Sequence, residues 1–322
     1  GDLLNFIGER SKYQIECFDI DPKHDYIIKM DTILNPPDYK GKFIITNPPY
    51  LAKNKTKDHD ALFNKYPVDD LYKCVIYEIA SSESNFPIGG IMIIPLNFWC
   101  SIRSADIELR RAFLARYIVD RVNIFEEQVF DDTTYTVCSM QFHLRRTDEP
   151  KNPNIAFHIY PVGKIINIAL AKNNNYTIGG EIYLLPPSSK YEITRLTSKN
   201  KGKDGATNIF VKCIDDGTDG GEQLGVSLVE DSQIYIDETP KLTSRTYATL
   251  LITPAIQLEK QKVLVKKINA MLSGHRDKYH SLFLTNYRES KESARKRISF
   301  ELVYLMAGYL LDKMAEAADL VV

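Results

Sequence analysis

The tetrapeptide Asn47-Pro48-Pro49-Tyr50 constrains this chain more than any other segment. It directly follows Phe43-Ile44-Ile45-Thr46, a short apolar and β-branched run that predicts a buried strand. In open α/β sheets, ligands bind outside the carboxyl ends of the strands. A tight turn at the end of such a strand would lie at that position. The turn is therefore the first candidate for a functional site.

The residue types in this turn suit the binding of a planar NH2 group. The side-chain oxygen of Asn47 can accept one hydrogen bond from such a group. Proline has no N–H, so the carbonyl of Pro48 has no competing donor beside it and can accept a second. Tyr50 offers a flat ring on which a base can stack, worth about 1–3 kcal/mol. Two acceptors localise the nitrogen lone pair, which favours attack on a methyl donor without a strong base.

The alternative is an ordinary turn, because Asn-Pro and Pro-Pro pairs are common in turns. The sequence contains a second copy of this pattern at Asn35-Pro36-Pro37, which no apolar strand precedes. We interpret this second copy as a loop. The preceding strand distinguishes the Asn47 motif from it.

The first part of the chain alternates short apolar strands with helical stretches, which predicts an α/β fold with a doubly wound, Rossmann-like sheet. Asp69 is a candidate helix cap. The predicted strands are 14–18, 26–29, 43–46, 91–95, 118–125 and 136–144, the last two as a hairpin, and the predicted helices are 70–84 and 107–117.

A polar stretch from Arg145 to Asn154, with Pro150 and Pro153, predicts a domain boundary. We expect a catalytic domain at 1–148 and a target-recognition domain at 149–322. The second domain reads as a mixed α+β region that ends in two helices, 254–272 and 290–314. In the first of these, Val263, Leu264, Ile268 and Leu272 form an apolar stripe.

Composition limits which partners the protein can bind and in which cellular compartment it is expected. The net charge is −1, so a nucleic-acid surface must be a local patch. The five cysteines are scattered, which argues against a zinc site or a disulfide framework and is typical of a reducing cytosol. No apolar run approaches the ~18 residues of a membrane span. We expect a cytoplasmic protein without a metal and without a membrane partner.

Two aspartates close the strands that precede the Asn47 strand. Asp19, followed by Ile20, is placed to bind the two hydroxyls of a ribose, and Asp31 to accept from an adenine amino group. The chain opens at Gly1-Asp2, which is typical of the end of a Gly-x-Gly turn that leads into a helix. A strand is expected ahead of such a turn, and the charged end of a cofactor is expected beside it.

The order of these features resembles the amino-directed DNA methyltransferases of the gamma arrangement, over roughly the first 145 residues. The resemblance implies S-adenosylmethionine as the donor and usually N6 of adenine in double-stranded DNA as the target. The chemistry requires base flipping, because a base inside a duplex cannot reach the donor. Phe130 matches the place of a second aromatic against the flipped base, with Tyr135 as a competing candidate, and the alternative for Phe130 is a core phenylalanine. The matching segments are Gly1-Asp2, Phe18-Asp19-Ile20-Asp21-Pro22, Met30-Asp31, Asn47-Pro48-Pro49-Tyr50, Asp70-Leu71-Tyr72, Gly89-Gly90, Ile93-Ile94-Pro95, Val129-Phe130 and Thr136-Val137.

Basic residues in two places are candidates for contact with the DNA backbone. Lys53, Lys55 and Lys57 follow the Asn47 turn, and Lys266, Lys267 and Arg295 lie in the basic end of the second domain. The alternative for each group is a solvated face. Loop candidates for target recognition are Ser244 to Tyr247 and Lys199 to Lys203.

Three functions remain open from the sequence. The first is a site-specific DNA adenine-N6 methyltransferase, either solitary or part of a restriction-modification or related defence system. Cytosine N4 is an alternative target for it, and a restriction endonuclease is a possible partner. The second is a protein methyltransferase acting on a glutamine amide, since that amide is also a planar NH2 group. The third is a non-catalytic DNA-specificity subunit.

Overall fold

The computed structural model describes residues 7, 12–55, 60–131, 133, 135–151, 153–214, 224–241, 246–287 and 295–319. Gly1, Asp2 and Lys57 lie outside these ranges. The chain divides into two units, of which the first comprises 1–98, 103–124 and 137–169, and the second comprises 99–102, 125–136 and 170–322.

The first unit and the segments that leave it contain the elements predicted from the alternating pattern, most of them shifted by one to three residues. In chain order they are β1 (Phe18–Asp19), β2 (Ile28–Lys29), β3 (Phe43–Thr46), α1 (Asp60–Lys65), α2 (Leu71–Ser81), β4 (Gly89–Pro95), α3 (Asn97–Cys100), α4 (Ser104–Arg116), β5 (Tyr117–Phe125), β6 (Val137–Leu144), β7 (Asn154–Tyr160) and β8 (Lys164–Ala169).

Six of these strands form a mixed sheet in the order β3-β4-β6-β5-β7-β8. β3 and β4 are parallel, and the helices α1 and α2 lie between them in sequence, as a parallel crossover requires. β4 pairs antiparallel with β6, and β7 pairs antiparallel with β8. β1 and β2 form a separate parallel pair. The α/β class is confirmed, and the Rossmann-like arrangement stays a prediction.

The prediction that Phe43–Thr46 is a buried strand is wrong in one respect. The strand has the predicted bounds, but the side chains of Phe43 and Ile45 are 52% and 40% exposed. The reason is its place at the end of the six-stranded sheet, where β4 is its partner among the described strands. The neighbouring strand β4 is largely buried, as predicted.

The core of the first unit lies between the sheet and two helices. α2 packs against α4. The ring of Phe142 on β6 contacts the rings of Phe113 and Tyr117, with centroids 5.2 and 4.9 Å away. These edge-on contacts between fully buried rings stabilise the fold beyond the burial of their apolar area. Through Phe113 they hold α4 against the sheet.

The sheet of the first unit continues past residue 148, where composition predicted a domain boundary. β7 and β8 extend the sheet to Ala169, because β7 lies beside β5 in the strand order. The polar stretch from Arg145 to Asn154 is therefore the connection between β6 and β7 within one sheet. The division of functions between two domains stays a prediction.

The second unit contains both strands and helices. Its elements are β9 (Glu192–Arg195), β10 (Ala206–Lys212), β11 (Gly225–Leu228), β12 (Tyr247–Thr253), α5 (Leu258–Tyr279), β13 (Thr285–Tyr287), β14 (Arg295–Arg297) and α6 (Phe300–Asp319). Four strands form an antiparallel sheet in the order β11-β10-β12-β9, and β13 pairs with β14. α5 packs against β10 and β11, and α6 packs against β9.

Two details of the predicted C-terminal helices are wrong. Residues 295–297, expected in a helix, form β14 instead, because they pair with 285–287. Val263, expected in the apolar stripe of α5, is exposed, whereas Leu264, Ile268 and Leu272 are fully buried. The side chains at i, i+4 and i+8 share one face of a helix, and Val263 lies outside that face.

Candidate active site

The Asn47-Pro48-Pro49-Tyr50 turn lies where the sequence predicted it, immediately after the carboxyl end of β3. Pro48 is buried and packs the turn against the protein, whereas Asn47 is exposed and its side-chain amide is accessible. The hydroxyl of Tyr50 lies 2.6 Å from Oδ1 of Asn47 and 2.9 Å from the carbonyl oxygen of Ile93 on β4. Tyr50 therefore links the turn to the adjacent strand.

The Tyr50 hydroxyl faces two acceptors but carries one proton. It can donate to Asn47 or to Ile93, and not to both at the same time. The turn thus contains an exchangeable hydrogen bond: when another donor occupies Oδ1 of Asn47, the Tyr50 proton still has the Ile93 carbonyl as its partner. Sequence reasoning missed this arrangement, because Ile93 is brought to the turn by the parallel pairing of β3 with β4.

The environment of Tyr50 keeps its hydroxyl protonated. Burial, with smaller contributions from Cys138 and Asp70, raises the pKa of Tyr50 well above its usual value. The ring of the fully buried Tyr72 meets that of Tyr50 edge-on at 6.2 Å. Tyr50 is therefore a neutral donor held by a second aromatic ring.

Asp70 fixes the segment that follows the turn. Its Oδ1 accepts the N–H of Leu51 at 3.1 Å, and Ala52 forms an isolated antiparallel bridge with Asp70. The N–H of Leu71 donates to the carbonyl of Leu51 at 3.1 Å. Burial raises the pKa of Asp70 to about 6, against the opposing charge of Lys73. The start of α2 thus clamps the chain just beyond Tyr50.

An ion cluster supports this end of α2, and its buried members are Lys73 and Asp106. Nζ of Lys73 lies 2.6 Å from Asp69 and 2.5 Å from Asp106 on α4, and Arg103 reaches Asp69 at 2.8 Å. Asp69, expected as a helix cap, is instead a partner of Lys73, and Asp70 occupies the cap position. Charges buried to this degree must be paired, so the cluster fixes α2 against α4.

The two predicted cofactor aspartates lie at adjacent strand ends. Asp19 is the last residue of β1, Asp31 follows β2, and the N–H of Met30 donates to the carbonyl of Asp19 at 2.8 Å. Asp19 is exposed, and the side chain of Ile20 beside it is 63% exposed. Asp31 is half-buried, and its Oδ1 accepts the N–H groups of Ile33 and Leu34.

These two acceptors fit the adenosine part of S-adenosylmethionine. An exposed carboxylate with an exposed apolar side chain beside it matches a ribose diol attached to a flat ring, and a half-buried carboxylate can accept from an exocyclic amino group. Gly1 and Asp2, the predicted contacts of the methionine part, lie outside the described residues.

The predicted DNA-backbone lysines are exposed where they are described. Lys53 and Lys55 lie on a short 3-10 turn directly after the site, and Lys53 lies over the ring of Phe63 at 5.8 Å. Lys266 and Lys267 are exposed on α5. The side chain of Arg295 lies outside the described part of the structure.

The second predicted aromatic, Phe130, belongs to the segment 125–136, which groups with the second unit. Phe130 and Tyr135 are both half-buried. Glu126 anchors the start of this segment, since its carboxylate contacts Nε2 of His280 at 3.0 Å and Nζ of Lys296 at 2.5 Å. Against the effect of burial, these two partners lower the pKa of Glu126 to about 2.

Over the described residues, no group of three or more histidine, cysteine or acidic side chains is arranged to hold a metal ion. The five cysteines are free thiols, and Cys17 is the one that is half-buried while the others are buried. Within the same described ranges, no helix has the length and apolar character needed to cross a membrane.

Comparison with known proteins gives partial structural likenesses only. No protein-family model matches the chain, and no curated protein matches it. A modification subunit of a putative type I restriction enzyme from Vibrio vulnificus YJ016 is 15% identical, with a TM-score of 0.32, over 43% of this chain and 30% of that one. The type I restriction enzyme EcoKI M protein is 12% identical, with a TM-score of 0.30, over 54% of this chain and 40% of that one.

The type IIL restriction-modification enzyme MmeI, solved in complex with DNA, is 14% identical, with a TM-score of 0.34, over 58% of this chain and 27% of that one. This chain therefore spans less than half the length of each of these solved proteins.

Proposed function

We propose that this chain transfers a methyl group from S-adenosylmethionine to a planar amino nitrogen of a base in double-stranded DNA, with N6 of adenine as the first candidate. The observation that carries the proposal is the position of Asn47. Its accessible amide closes β3, and its Oδ1 is held by a hydroxyl that has a second acceptor available.

The chain's own groups would activate the amino nitrogen. Oδ1 of Asn47 accepts one N–H of the substrate, and the carbonyl of Pro48 accepts the other. The Tyr50 hydroxyl, displaced from Asn47, donates to Ile93 instead, so no buried polar group is left unpaired. The two acceptors draw the nitrogen away from planarity and localise its lone pair. The proton can leave after methyl transfer, so the site needs no strong base.

Asp19, Ile20 and Asp31 would hold the adenosine part of the donor. Bound S-adenosylmethionine supplies an electrophilic methyl group. The chain's contribution is to orient the acceptor nitrogen and to hold the turn rigid through Asp70 and the Lys73 cluster. Gly1 and Asp2 remain the proposed contacts of the methionine part.

A base inside a duplex cannot reach a donor in a pocket, so the target base would flip out at a cost of a few kcal/mol. Stacking on an aromatic ring would offset this cost, and Tyr50 and Phe130 are each a candidate for that ring. Lys53, Lys55 and Lys57 would neutralise phosphates next to the pocket, and Lys266, Lys267 and Arg295 would do so in the second unit. The resemblance of the sequence supports a restriction-modification setting, with a restriction endonuclease as the proposed partner.

The second candidate is methylation of a glutamine side-chain amide in a protein. It is favoured by the same observation, because an amide NH2 presents the same two hydrogens to Asn47 and Pro48. The exposed lysines beside the turn favour a polyanion over a peptide.

Transfer of labelled methyl from S-adenosylmethionine distinguishes these candidates. The protein is incubated with unmethylated genomic DNA and, in parallel, with a cell protein extract. The proposal predicts label in DNA that is recovered as N6-methyl-2′-deoxyadenosine after digestion to nucleosides. Label in cytosine would support methyl transfer to DNA but would make cytosine N4 the target instead of adenine N6. Label in protein alone, or no label in either, would refute the proposal.

A further inference from the structure

The outer face of the four-stranded sheet in the second unit bears three aromatic rings in mutual contact. Phe210 on β10 stacks on Tyr247 of β12 with centroids 5.5 Å apart and planes inclined by 26°. Tyr235 meets both rings edge-on, 6.4 Å from Phe210 and 6.3 Å from Tyr247. We call these three residues the aromatic platform.

Strand register places the platform on the face of the sheet opposite the helices. Phe210 pairs with Thr249, and Lys212 pairs with Tyr247, so these side chains share one face. The intervening residues, such as Val211, are fully buried on the other face. The N–H of Tyr235 donates to Oγ1 of Thr249 at 3.1 Å, which fixes the segment of Tyr235 over the middle of the sheet.

Two of the three platform rings are exposed. The side chains of Tyr235 and Tyr247 are 37% and 39% exposed. Within the described ranges, neither tyrosine hydroxyl makes a hydrogen bond to the protein. Three adjoining rings at the surface form a patch, and exposed apolar patches mark binding surfaces.

Four lysines lie on the platform face or on the turn next to the Tyr235 segment. Lys212 lies on the same face, two residues from Phe210. Lys199, Lys201 and Lys203 are exposed on a turn that is joined to the Tyr235 segment by the Thr197 to Asp237 bridge.

Three of the carboxylates in these stretches have partners, two of them cationic and one neutral, and Asp204 and Glu230 are also exposed there. Asp237 pairs with Arg195 at 3.2 Å, and Glu238 lies 3.9 Å from Lys201. Asp231, at the far end of the sheet face, accepts a hydrogen bond from Asn208 at 2.7 Å. Lys199 and Lys203, both exposed, therefore remain available to phosphates next to the Tyr235 segment.

We propose that the aromatic platform binds an unpaired segment of nucleic acid, with bases stacked on Tyr235 and Tyr247 and phosphates held by the nearby lysines. Base faces are hidden in a duplex and available in an unpaired strand, so exposed rings select the latter. The lysines would contact phosphates and make no contact that distinguishes one base from another. The binding should therefore tolerate different sequences. This inference goes beyond methyl transfer and does not depend on it.

Fluorescence anisotropy with a short single-stranded oligodeoxythymidine, without S-adenosylmethionine, tests the proposal. The double variant Tyr235→Leu/Tyr247→Leu should bind about 5- to 100-fold more weakly than the wild type, and Tyr235→Phe/Tyr247→Phe should bind normally because the rings remain. Tyr160→Leu, an exposed tyrosine of the first unit, is the matched control and should have no effect. Equal binding by the leucine variant with an unchanged circular dichroism spectrum would overturn the proposal.

A second measurement needs no aromatic variant. An oligonucleotide containing 2-aminopurine should lose fluorescence when the wild-type protein stacks on it, and a duplex of the same length should show little change. Absence of quenching, as expected if the face serves a protein partner, would overturn the proposal.

The lysines are tested by salt dependence. Replacing Lys199, Lys201 and Lys203 by serine should flatten the salt dependence by about 0.7 for each lost phosphate contact. An unchanged slope would remove these lysines from the site. None of these readouts requires methyl transfer, so they can succeed where the proposed reaction fails.

Discussion

The hydroxyl of Tyr50 lies within hydrogen-bond distance of both Asn47 on its own turn and Ile93 on the neighbouring strand. One proton shared between two acceptors lets Asn47 be oriented before a substrate arrives and released when it binds. Tyr50, expected as a catalytic residue and a stacking surface, thus also holds the amide beside it through its hydroxyl.

Replacing Tyr50 by phenylalanine isolates the hydroxyl from the ring. We expect kcat to fall at least tenfold because the amide of Asn47 loses its partner, while DNA affinity is kept by the ring. The free energy of unfolding should fall by about 1 kcal/mol for the lost hydrogen bond. Tyr66→Phe is the matched control, since its hydroxyl also contacts two acceptors, Ile33 and Glu78. Its stability should fall similarly with kcat unchanged, and equal kcat losses in both variants would contradict this role.

Asp70 gives the protein a defined pH dependence. Burial raises its folded-state pKa from 3.8 to about 6, so the folded protein binds this proton more tightly than the unfolded chain. The contribution of this group to stability is therefore fully present below its unfolded pKa and is lost as the pH rises towards 6. Asp70→Asn removes the titration.

Urea unfolding between pH 4 and pH 6 measures this effect, the range being set by the two pKa values of Asp70. The stability of Asp70→Asn relative to the wild type should rise by roughly 2 kcal/mol across that range. Asp204 is exposed, and Asp204→Asn is the control variant. Its free energy of unfolding should change with pH in the same way as that of the wild type. A constant difference between Asp70→Asn and the wild type would show that the carboxyl is not perturbed.

Removing one partner of the buried pair Lys73 and Asp106 should lower the free energy of unfolding much more than replacing both partners with apolar residues. Lys73→Met leaves the Asp106 carboxylate buried without its cation and should cost about 3–5 kcal/mol. The double variant Lys73→Met/Asp106→Leu should recover most of that loss. The exposed pair of Lys262 and Glu259 is the control, and Lys262→Met should cost less than about 1 kcal/mol. Equal losses at both sites in chemical unfolding would rule out a structural role for the cluster.

The exposed lysines of α5 are tested by charge reversal. If Lys266 and Lys267 contact phosphates, replacing both with glutamate should weaken binding to duplex DNA and reduce the magnitude of the salt slope by about 2. Lys313→Glu changes an exposed lysine on α6 and should leave the slope as it is. An unchanged slope in the double variant would assign Lys266 and Lys267 to a solvated helix face.

The features that sequence predicted well are local ones. The bounds of β3 agree with the prediction, and β4 and α2 agree to within two or three residues, since alternation, helical period and proline placement act within a few residues. Asp19 and Asp31 also fall at strand ends as predicted. The adjacency of Asp19 and Met30 follows from the parallel pairing of two very short strands.

The features that sequence could not predict depend on distant partners. Asp70 reaches Leu51, Lys73 reaches Asp106 and Tyr50 reaches Ile93, and none of these pairs is encoded by spacing along the chain. Residues 295–297 look helical alone, but their pairing with 285–287 overrides local propensity. The exposure of Phe43 likewise follows from the place of β3 in the sheet.

The most direct test of the central claim compares the two Asn-Pro-Pro sequences of the chain. Single-turnover methyl transfer to DNA is measured for the wild type, Asn47→Ala and Asn35→Ala. We predict that Asn47→Ala loses at least 100-fold in rate with DNA binding intact, because the first acceptor for the amino group is gone, and that Asn35→Ala retains the wild-type rate. Equal rates for Asn47→Ala and Asn35→Ala would contradict the account.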